Sequence, residues 1–369
     1  MSTLRVNTIN DASGGSNAQL FGVASPPNSM GFRNRILNGG MVIDQRNAGA
    51  SVTAPADGYA LDRWKTYASG GGVMTVQRST TVPTGFTNSQ FFTVTTADSS
   101  LAGTDAYGVQ QMPEGFNVAD LGWGTAAAQT VTVSFWVRSS VTGTYTLSIR
   151  NSAENRSYLA TYTVSAANTF EYKTLTIPGD TSGTWLTDNG VGLRVWFDLG
   201  AGATYTGAAG SWTGSLLTHA TGGTNWISTN GATFYITGVQ LEAGTVASPF
   251  ERRDYGRELI MCQRYCWAFG NSDNSVFGAG YETSALGRTV AALPVVMRAS
   301  PTLSASSAAS TFALVDSVSA GRVGTVLALA FASPTSVSVD LTASGTVANV
   351  PCILRTASAS ANIVFSSEL

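Results

Sequence analysis

From about residue 31 to 250 apolar and polar side chains alternate with a period of two. In Val131-Thr132-Val133-Ser134-Phe135-Trp136-Val137, the residues Val131, Val133, Phe135 and Val137 share one face, the signature of a strand buried on one side only. Similar runs occur at Tyr145-Thr146-Leu147-Ser148-Ile149, Val191-Gly192-Leu193-Arg194-Val195-Trp196-Phe197 and Phe234-Tyr235-Ile236, separated by Gly, Asn, Asp and Ser clusters of turn character. Many short strands punctuated in this way predict an antiparallel sandwich of jelly-roll-like topology, and no fixed-period repeat of the β-helix or propeller kind is present. One stretch breaks the alternation. Between Asp254 and Trp267, residues Tyr255, Leu259, Cys262, Cys266 and Phe269 recur at spacings of four and three, which predicts a helix with those five side chains along one stripe. Such a short stripe fits either a helix packed on its own domain or a neck around which three chains close.

Residues 271–369 return to strands, among them Ser336-Val337-Ser338-Val339-Asp340-Leu341, Pro351-Cys352-Ile353-Leu354 and Asn362-Ile363-Val364-Phe365. Few large side chains support a core there, which favours association. Residues 1–30 lack apolar periodicity and end in Ala24-Ser25-Pro26-Pro27-Asn28-Ser29, whose prolines oppose regular structure; they read as an arm that orders on a partner, or as a loose tail. The expected fold class is therefore all-β. It comprises an arm over 1–30, a jelly-roll-like antiparallel β-sandwich over 31–250, a short helical connector over 251–270 and a smaller C-terminal β domain over 271–369.

Composition narrows the functional classes. Only 11% of the 369 residues are charged, whereas 40 are Gly, so the surface is made of hydroxyls and amides; few repulsive charges suit a chain that buries surface in an oligomer. The net charge of -2 and the singly scattered Lys and Arg argue against a nucleic-acid partner. Neither a signal-like apolar run at Met1-Ser2-Thr3-Leu4-Arg5-Val6-Asn7 nor a continuous apolar stretch of membrane-spanning length is present, which predicts cytoplasmic synthesis and no membrane insertion. Three cysteines cannot build a disulfide framework, and reduced thiols are expected.

Parity supplies the sharpest binding candidates. Where Val133, Phe135 and Val137 face the core, Trp136 and Arg138 point outward, as do Arg194, Trp196 and Tyr235 on their own strands. Should those strands be neighbours, they would set aromatic plates beside guanidinium donors, suited to pyranose faces and to sugar hydroxyls or carboxylates. The competing reading covers them with another subunit or the companion domain. Trp185, Trp212 and Trp226, in Gly-rich polar loops, are rival platforms; truncating Trp212 or Trp226 is expected to weaken binding without lowering thermal stability. Catalytic signals are weak. His219 is the sole histidine and stands outside any nucleophile motif, while Asp180, Asp188 and Asp198 have turn character and could form a glycosidase pair only if the fold gathered them. Cys262 and Cys266 lack further zinc ligands, and no Asp-rich calcium loop occurs, so no metal, no cofactor and no catalytic residue are expected.

Three segments carry a resemblance: Asn34-Arg35-Ile36-Leu37-Asn38-Gly39-Gly40-Met41-Val42-Ile43-Asp44-Gln45-Arg46; Tyr59-Ala60-Leu61-Asp62-Arg63-Trp64; and Gly238-Val239-Gln240-Leu241-Glu242-Ala243-Gly244 running into Phe250-Glu251-Arg252-Arg253 and Cys262-Gln263-Arg264-Tyr265. Together with Leu4-Arg5-Val6-Asn7-Thr8-Ile9 they resemble tail fibre or receptor-binding proteins of tailed bacteriophages, commonly those of marine hosts, over residues 1–270 and more weakly through 294–301. The resemblance implies a virion location and a homotrimer. It further implies attachment to tail or baseplate proteins through the arm, and an outward β-sandwich that meets host cell-surface polysaccharide. It brings no catalytic set. The alternatives are a tail adaptor or decoration protein without receptor binding, and a glycan-cleaving tailspike depolymerase. In physical terms, Gly39-Gly40 permits a turn or bulge before a strand at 41–43, and Asp62 with Arg63 reads as an internal ion pair or cap.

Overall fold

The computed structural model describes residues 33–270, 272–317 and 321–369, together with a two-strand pairing of Gln19–Leu20 with Val23–Ala24. Beyond that pairing, the attachment arm expected over 1–30 lies outside the described residues. The described chain is almost entirely antiparallel β-structure and divides into two units, one formed by Gly49–Ala60, Trp64–Arg253 and the residues before 43, the other by Ile43–Ala48, Leu61–Arg63 and Asp254–Leu369.

The first unit is a sandwich of two sheets. Among the described residues, a seven-stranded sheet runs in the spatial order Trp212–Thr213, Ser157–Val164, Gly143–Arg150, Arg194–Ala201, Ala106–Gln111, Trp64–Ser69, Asp57–Leu61. A six-stranded sheet runs Glu171–Ile177, Val131–Ser139, Thr233–Ala243, Ser89–Thr96, Val73–Ser79, Val52–Thr53. The alternation read from the sequence sets their inner faces. Val133, Phe135 and Val137 of one sheet meet Val195, Phe197 and Leu199 of the other, all buried. Aromatic contacts join the layers: Phe135 meets Phe197 edge-on at 5.0 Å and 83°, and Tyr145 lies 5.9 Å from Phe234 at a tilt of 35°. Burying each such side chain contributes about 1.5–3 kcal/mol.

Contrary to expectation, no strand forms at 41–43. Asn38 and Met41 both take left-handed backbone angles, φ 53° and 56°, and the segment turns there. The bulge belongs instead to Thr233–Ala243, whose register slips between Thr237 and Gln240. Asn34 fills it: its side-chain amide donates to Val239 O at 3.1 Å, and its carbonyl oxygen accepts from Leu241 N at 3.1 Å and Ile36 N at 2.9 Å. The first segment of the resemblance thus acts as a backbone patch for a strand two hundred residues away.

In the second unit, six strands close into a barrel in the order Val276–Glu282, Leu286–Ala292, Ser336–Ala343, Arg322–Ser333, Phe312–Asp316, Pro351–Thr356. A three-stranded sheet of Cys266–Gly270, Asn362–Ser366 and Thr302–Ser306 accompanies it. Phe277, Phe312, Leu314, Val339, Leu341, Leu354 and Phe365 form a contiguous buried core. The helix is shorter than the pattern predicts. It spans Tyr255–Gln263, capped by the Asp254 side chain accepting from Arg257 N at 2.9 Å. Cys266 and Phe269 lie past its end, in the strand Cys266–Gly270, because the β-prone run around Trp267 pairs with Asn362–Ser366 and stacks Trp267 on Phe365 at 5.6 Å. The five-residue helical stripe therefore does not exist. Tyr255 is exposed, Leu259 half-buried, and Cys262 and Cys266 are fully buried within the unit, where burial raises both thiol pKa values well above normal.

Asp62 and Arg63 are internal ties in this unit. Asp62 accepts from the Gln45 backbone and side-chain nitrogens at 2.7 Å each, while Arg63 pairs with Glu368 and stacks 3.5 Å over the Tyr265 ring.

Candidate functional site

The outer face of the seven-stranded sheet holds a cavity of about 260 Å³. Its walls follow from parity. Because Val195, Phe197 and Leu199 point inward, Arg194, Trp196 and Asp198 point out; because Leu147 and Ile149 point inward, Ser148 and Arg150 point out. Register then juxtaposes them: Arg150 opposes Arg194, and Trp196 opposes Ser148 on one side and Gln110 on the other. Beyond Gln110 the strand Trp64–Ser69 adds Lys65 and Tyr67. The Trp196 indole lies flat across Gly108, where a Cβ would come within 2.3 Å of the ring, so only glycine admits this placement. Tyr67 sits 6.0 Å from Trp196, and the Arg150 guanidinium rides 5.0 Å from the indole. Trp196 itself is almost entirely covered and serves as floor, whereas Tyr67, Lys65 and Arg194 are partly exposed along the walls.

Charge in the cavity is arranged by Glu154. It sits with a left-handed φ of 56° in the turn between Gly143–Arg150 and Ser157–Val164, a conformation uncommon for glutamate. Asn151 holds that turn by accepting from Asn155 N and Arg156 N at 3.1 Å each. Glu154 meets Arg150 at 3.1 Å and Arg194 at 3.0 Å, and Gln110 Oε1 takes a further Arg150 N–H at 3.2 Å. Burial lowers the Arg150 pKa to about 10, the Glu154 charge opposing it, and the guanidinium remains charged at neutral pH. Lys65 pairs with Asp57 at 2.8 Å. Thr218 presents a buried hydroxyl that, among the described residues, has no hydrogen-bond partner at the same cavity. The set combines an aromatic floor and wall, three cations, two carboxylates and neutral donors, which is equipment for holding a polyhydroxylated ligand.

Next to it, His219 Nδ1 and Asp198 Oδ2 form a buried pair at 2.6 Å. Burial raises the Asp198 pKa. It would lower that of His219, but the Asp198 hydrogen bond and charge outweigh it and hold the imidazole above its ordinary value. Asp180 is tied to Arg156 at 2.7 and 2.8 Å, and Asp188 accepts from Gly190 N at 2.8 Å within its own turn. All three aspartates have internal partners. Among the described residues, no three His, Cys, Asp or Glu side chains gather as metal ligands, and no helix is long and apolar enough to cross a membrane.

The other parity candidates stand on the other sheet, so the condition for one shared platform, that all these strands be neighbours, is not met. Trp136, Arg138 and Tyr235 lie on the outer face of the six-stranded sheet. There Arg138 opposes Tyr235 in register and lies 4.9 Å from its ring, while Phe91 stacks on Tyr235 at 4.3 Å; these neighbours leave Tyr235 9% exposed and closed to a ligand. Trp136 pairs with Tyr172 beside a groove of its own. Of the loop tryptophans, Trp226 is fully buried, its Nε1 donating to Thr233 O at 3.3 Å, so it offers no platform. Trp212 is half-buried in a cluster with Trp123 and Trp185, and its Nε1 donates to Pro178 O at 2.8 Å. Short loops between β-strands close over such rings to cap the sandwich, a role that loop composition does not reveal.

Arg150, Glu154, Gln110, Lys65 and Tyr67 were not among the sequence candidates. Arg150 was within reach, since extending the alternation of Tyr145-Thr146-Leu147-Ser148-Ile149 by one residue places it outward. Glu154 left no such signal.

No protein-family model matches the chain and no curated protein sequence matches it. Among solved structures, the chain is similar to the enzymatically active domain of tailspike protein 4 of bacteriophage CBA120, at 14% identity and TM-score 0.33 over 57% of this chain and 21% of that one. It is similar to a putative sugar binding protein from Bacteroides thetaiotaomicron, at 12% identity and TM-score 0.33 over 57% of this chain and 100% of that one. It is also similar to the family 11 carbohydrate-binding module from Clostridium thermocellum, at 11% identity and TM-score 0.28 over 55% of this chain and 100% of that one. The match spans about a fifth of the length of the tailspike domain, 21%.

Proposed function

We propose that this protein is a non-enzymatic tail-fibre subunit of a tailed-phage virion that recognises host cell-surface glycan, works as a homotrimer and attaches to tail or baseplate proteins through residues 1–30. One observation carries the glycan reading: the cavity in which Trp196 and Tyr67 stand beside Arg150, Arg194 and Lys65 on one sheet face. The partly exposed Tyr67 ring takes the apolar face of a sugar ring over the covered Trp196 floor, while guanidinium and ammonium groups donate to its hydroxyls or carboxylates. The motifs around Asn34, Asp62 and Gly238 support the virion assignment through their resemblance to tail fibre proteins.

Trimerisation fits both the low charge and the expected weakness of a small open site. Three tethered copies make later contacts intramolecular and raise overall binding by about 10²-fold or more. The internal partners of Asp180, Asp188 and Asp198 weigh against a depolymerase, because each carboxylate is already engaged in holding a loop or a neighbour.

Glycan-array binding of the purified full chain, beside a sedimentation measurement of its mass, tests the proposal. The expected result is selective retention of a small set of surface-type glycans by a particle with the mass of three 38.3 kDa chains. A single-chain particle that retains no glycan overturns it, and release of reducing ends from polysaccharide assigns the chain to the depolymerase class.

A further inference from the structure

The outer face of the six-stranded sheet carries a groove of about 490 Å³ on the opposite side of the sandwich from the cavity around Arg150. Its aromatic wall is made where Tyr172 opposes Trp136 in register, the two rings 5.4 Å apart and inclined at 47°, with Tyr172 44% exposed. Its floor is the bulge of Thr233–Ala243. Gly238 there has φ 62°, and a Cβ on it would come within 2.6 Å of Phe86 and 3.2 Å of Trp136, so the glycine lets both rings close on one point. Phe86 meets Phe250 edge-on at 5.3 Å, and the Arg252 guanidinium rides 4.8 Å from Phe86 and 5.8 Å from Phe250. Trp136, Gly238, Phe86 and Arg252 therefore form a continuous chain of neighbours along the groove.

Arg252 supplies the charge argument. It is exposed, it is oriented by two phenyl rings, and among the described residues it pairs with no carboxylate, whereas the adjoining Arg253 pairs with Glu251 at 3.3 Å. A cation fixed by rings and left without an internal anion is complementary to a ligand that brings one. Two inclined aromatic rings beside it suit the C–H face of a flat six-membered sugar.

We propose that this groove is a second binding site, for a pyranose that bears a carboxylate: the ring stacks on Trp136 and Tyr172 and the carboxylate is held by Arg252. The site stands on a different sheet from the cavity around Arg150 and does not depend on what that cavity binds.

The test is titration calorimetry of the full chain with trigalacturonate, trimannuronate and sialyllactose, against maltotriose as the neutral probe. At least one acidic probe is expected to bind about tenfold or more tightly than maltotriose, a preference that charge-assisted hydrogen bonding supplies. Arg252→Gln removes that preference, Tyr172→Ala weakens the same binding, and both variants melt at the wild-type temperature. Loss of acidic-probe binding in Arg194→Ala together with wild-type binding in Arg252→Gln would assign these ligands to the other cavity and overturn the proposal, which separates failure of this site from failure of the first. Absence of binding by all three acidic probes overturns the proposal, as does wild-type affinity for them in Tyr172→Ala, an exposed position whose truncation leaves the fold intact.

Discussion

Trp226 and Trp212 carry the same side chain on similarly Gly-rich loops, yet the first is enclosed by Phe234 at 6.1 Å and the second leans on Trp123 at 5.5 Å with part of its ring in solvent. Trp226→Ala is expected to cost about 3–5 kcal/mol in a thermal or urea melt, because a buried indole leaves a cavity behind; Trp212→Ala is expected to cost clearly less. Equal losses would mean that the half-exposed ring is as much core as the buried one. The comparison marks how far single residues were legible. Parity placed Trp196 and Arg194 outward correctly, but whether an outward ring is covered depends on neighbours that alternate in space and not in sequence. Trp196 shows this: Gly108, on the adjacent strand, is what lets it lie flat. His219 offers a second prediction at this scale. The folded pair with Asp198 holds its proton more tightly than the unfolded chain, since both pKa values are raised, with Tyr145 and Tyr162 in electrostatic reach of Asp198. A raised folded pKa gives stability that is full below the ordinary histidine value of about 6.5 and is lost as pH rises through the folded value. The melting temperature should therefore fall as pH rises above about 6.5, and His219→Gln should flatten that fall. A wild-type melting profile that climbs over the same range would refute the pairing.

Among elements, the strand Thr233–Ala243 is engaged on both edges, for it pairs with Val131–Ser139 and Ser89–Thr96, carries the bulge, and is patched by Asn34. Asn34→Ala removes the amide that bonds Val239 O and the oxygen that bonds Leu241 N, both buried. The expected cost is about 2–4 kcal/mol, measured by urea denaturation, because unsatisfied buried backbone groups lose solvation without recompense. Near-zero change would show that the segment lies on the strand without supporting it. Period-two alternation made strands such as Val131–Ser139 and Ser336–Ala343 readable, whereas Asn362–Ser366 is a continuous apolar run in which Ile363, Val364 and Phe365 are all buried. Sheet membership was not readable, because alternation says which face a residue takes and nothing about which strand lies alongside. That is why Trp136 and Trp196 came out on opposite faces of the sandwich. The helical stripe failed for a related reason. Spacings of four and three persist past Gln263 by coincidence, while Cys266–Gly270 is captured by Asn362–Ser366, and long-range pairing outweighs a local period.

Across the whole molecule, the sequence pointed to an all-β chain and to a surface poor in charge, and the structure adds where chemistry concentrates: two recesses, one on each outer face of the sandwich, each joining aromatic rings to cations. Oligomeric state belongs to this scale as well. Tyr281 and Phe331 are each 65% exposed on the barrel strands, and the sedimentation measurement tests whether copies of the chain associate at all. The central claim is that the cavity floored by Trp196 holds glycan. Titration calorimetry of the wild-type chain and of a Tyr67→Ala, Arg194→Ala double variant, against the glycan best retained on an array, tests it most directly. An affinity loss of about tenfold or more at an unchanged melting temperature is the predicted result, since a stacking partner and a charged donor are removed from the walls while the floor is left in place. Equal affinity of the two proteins for that glycan would contradict the account.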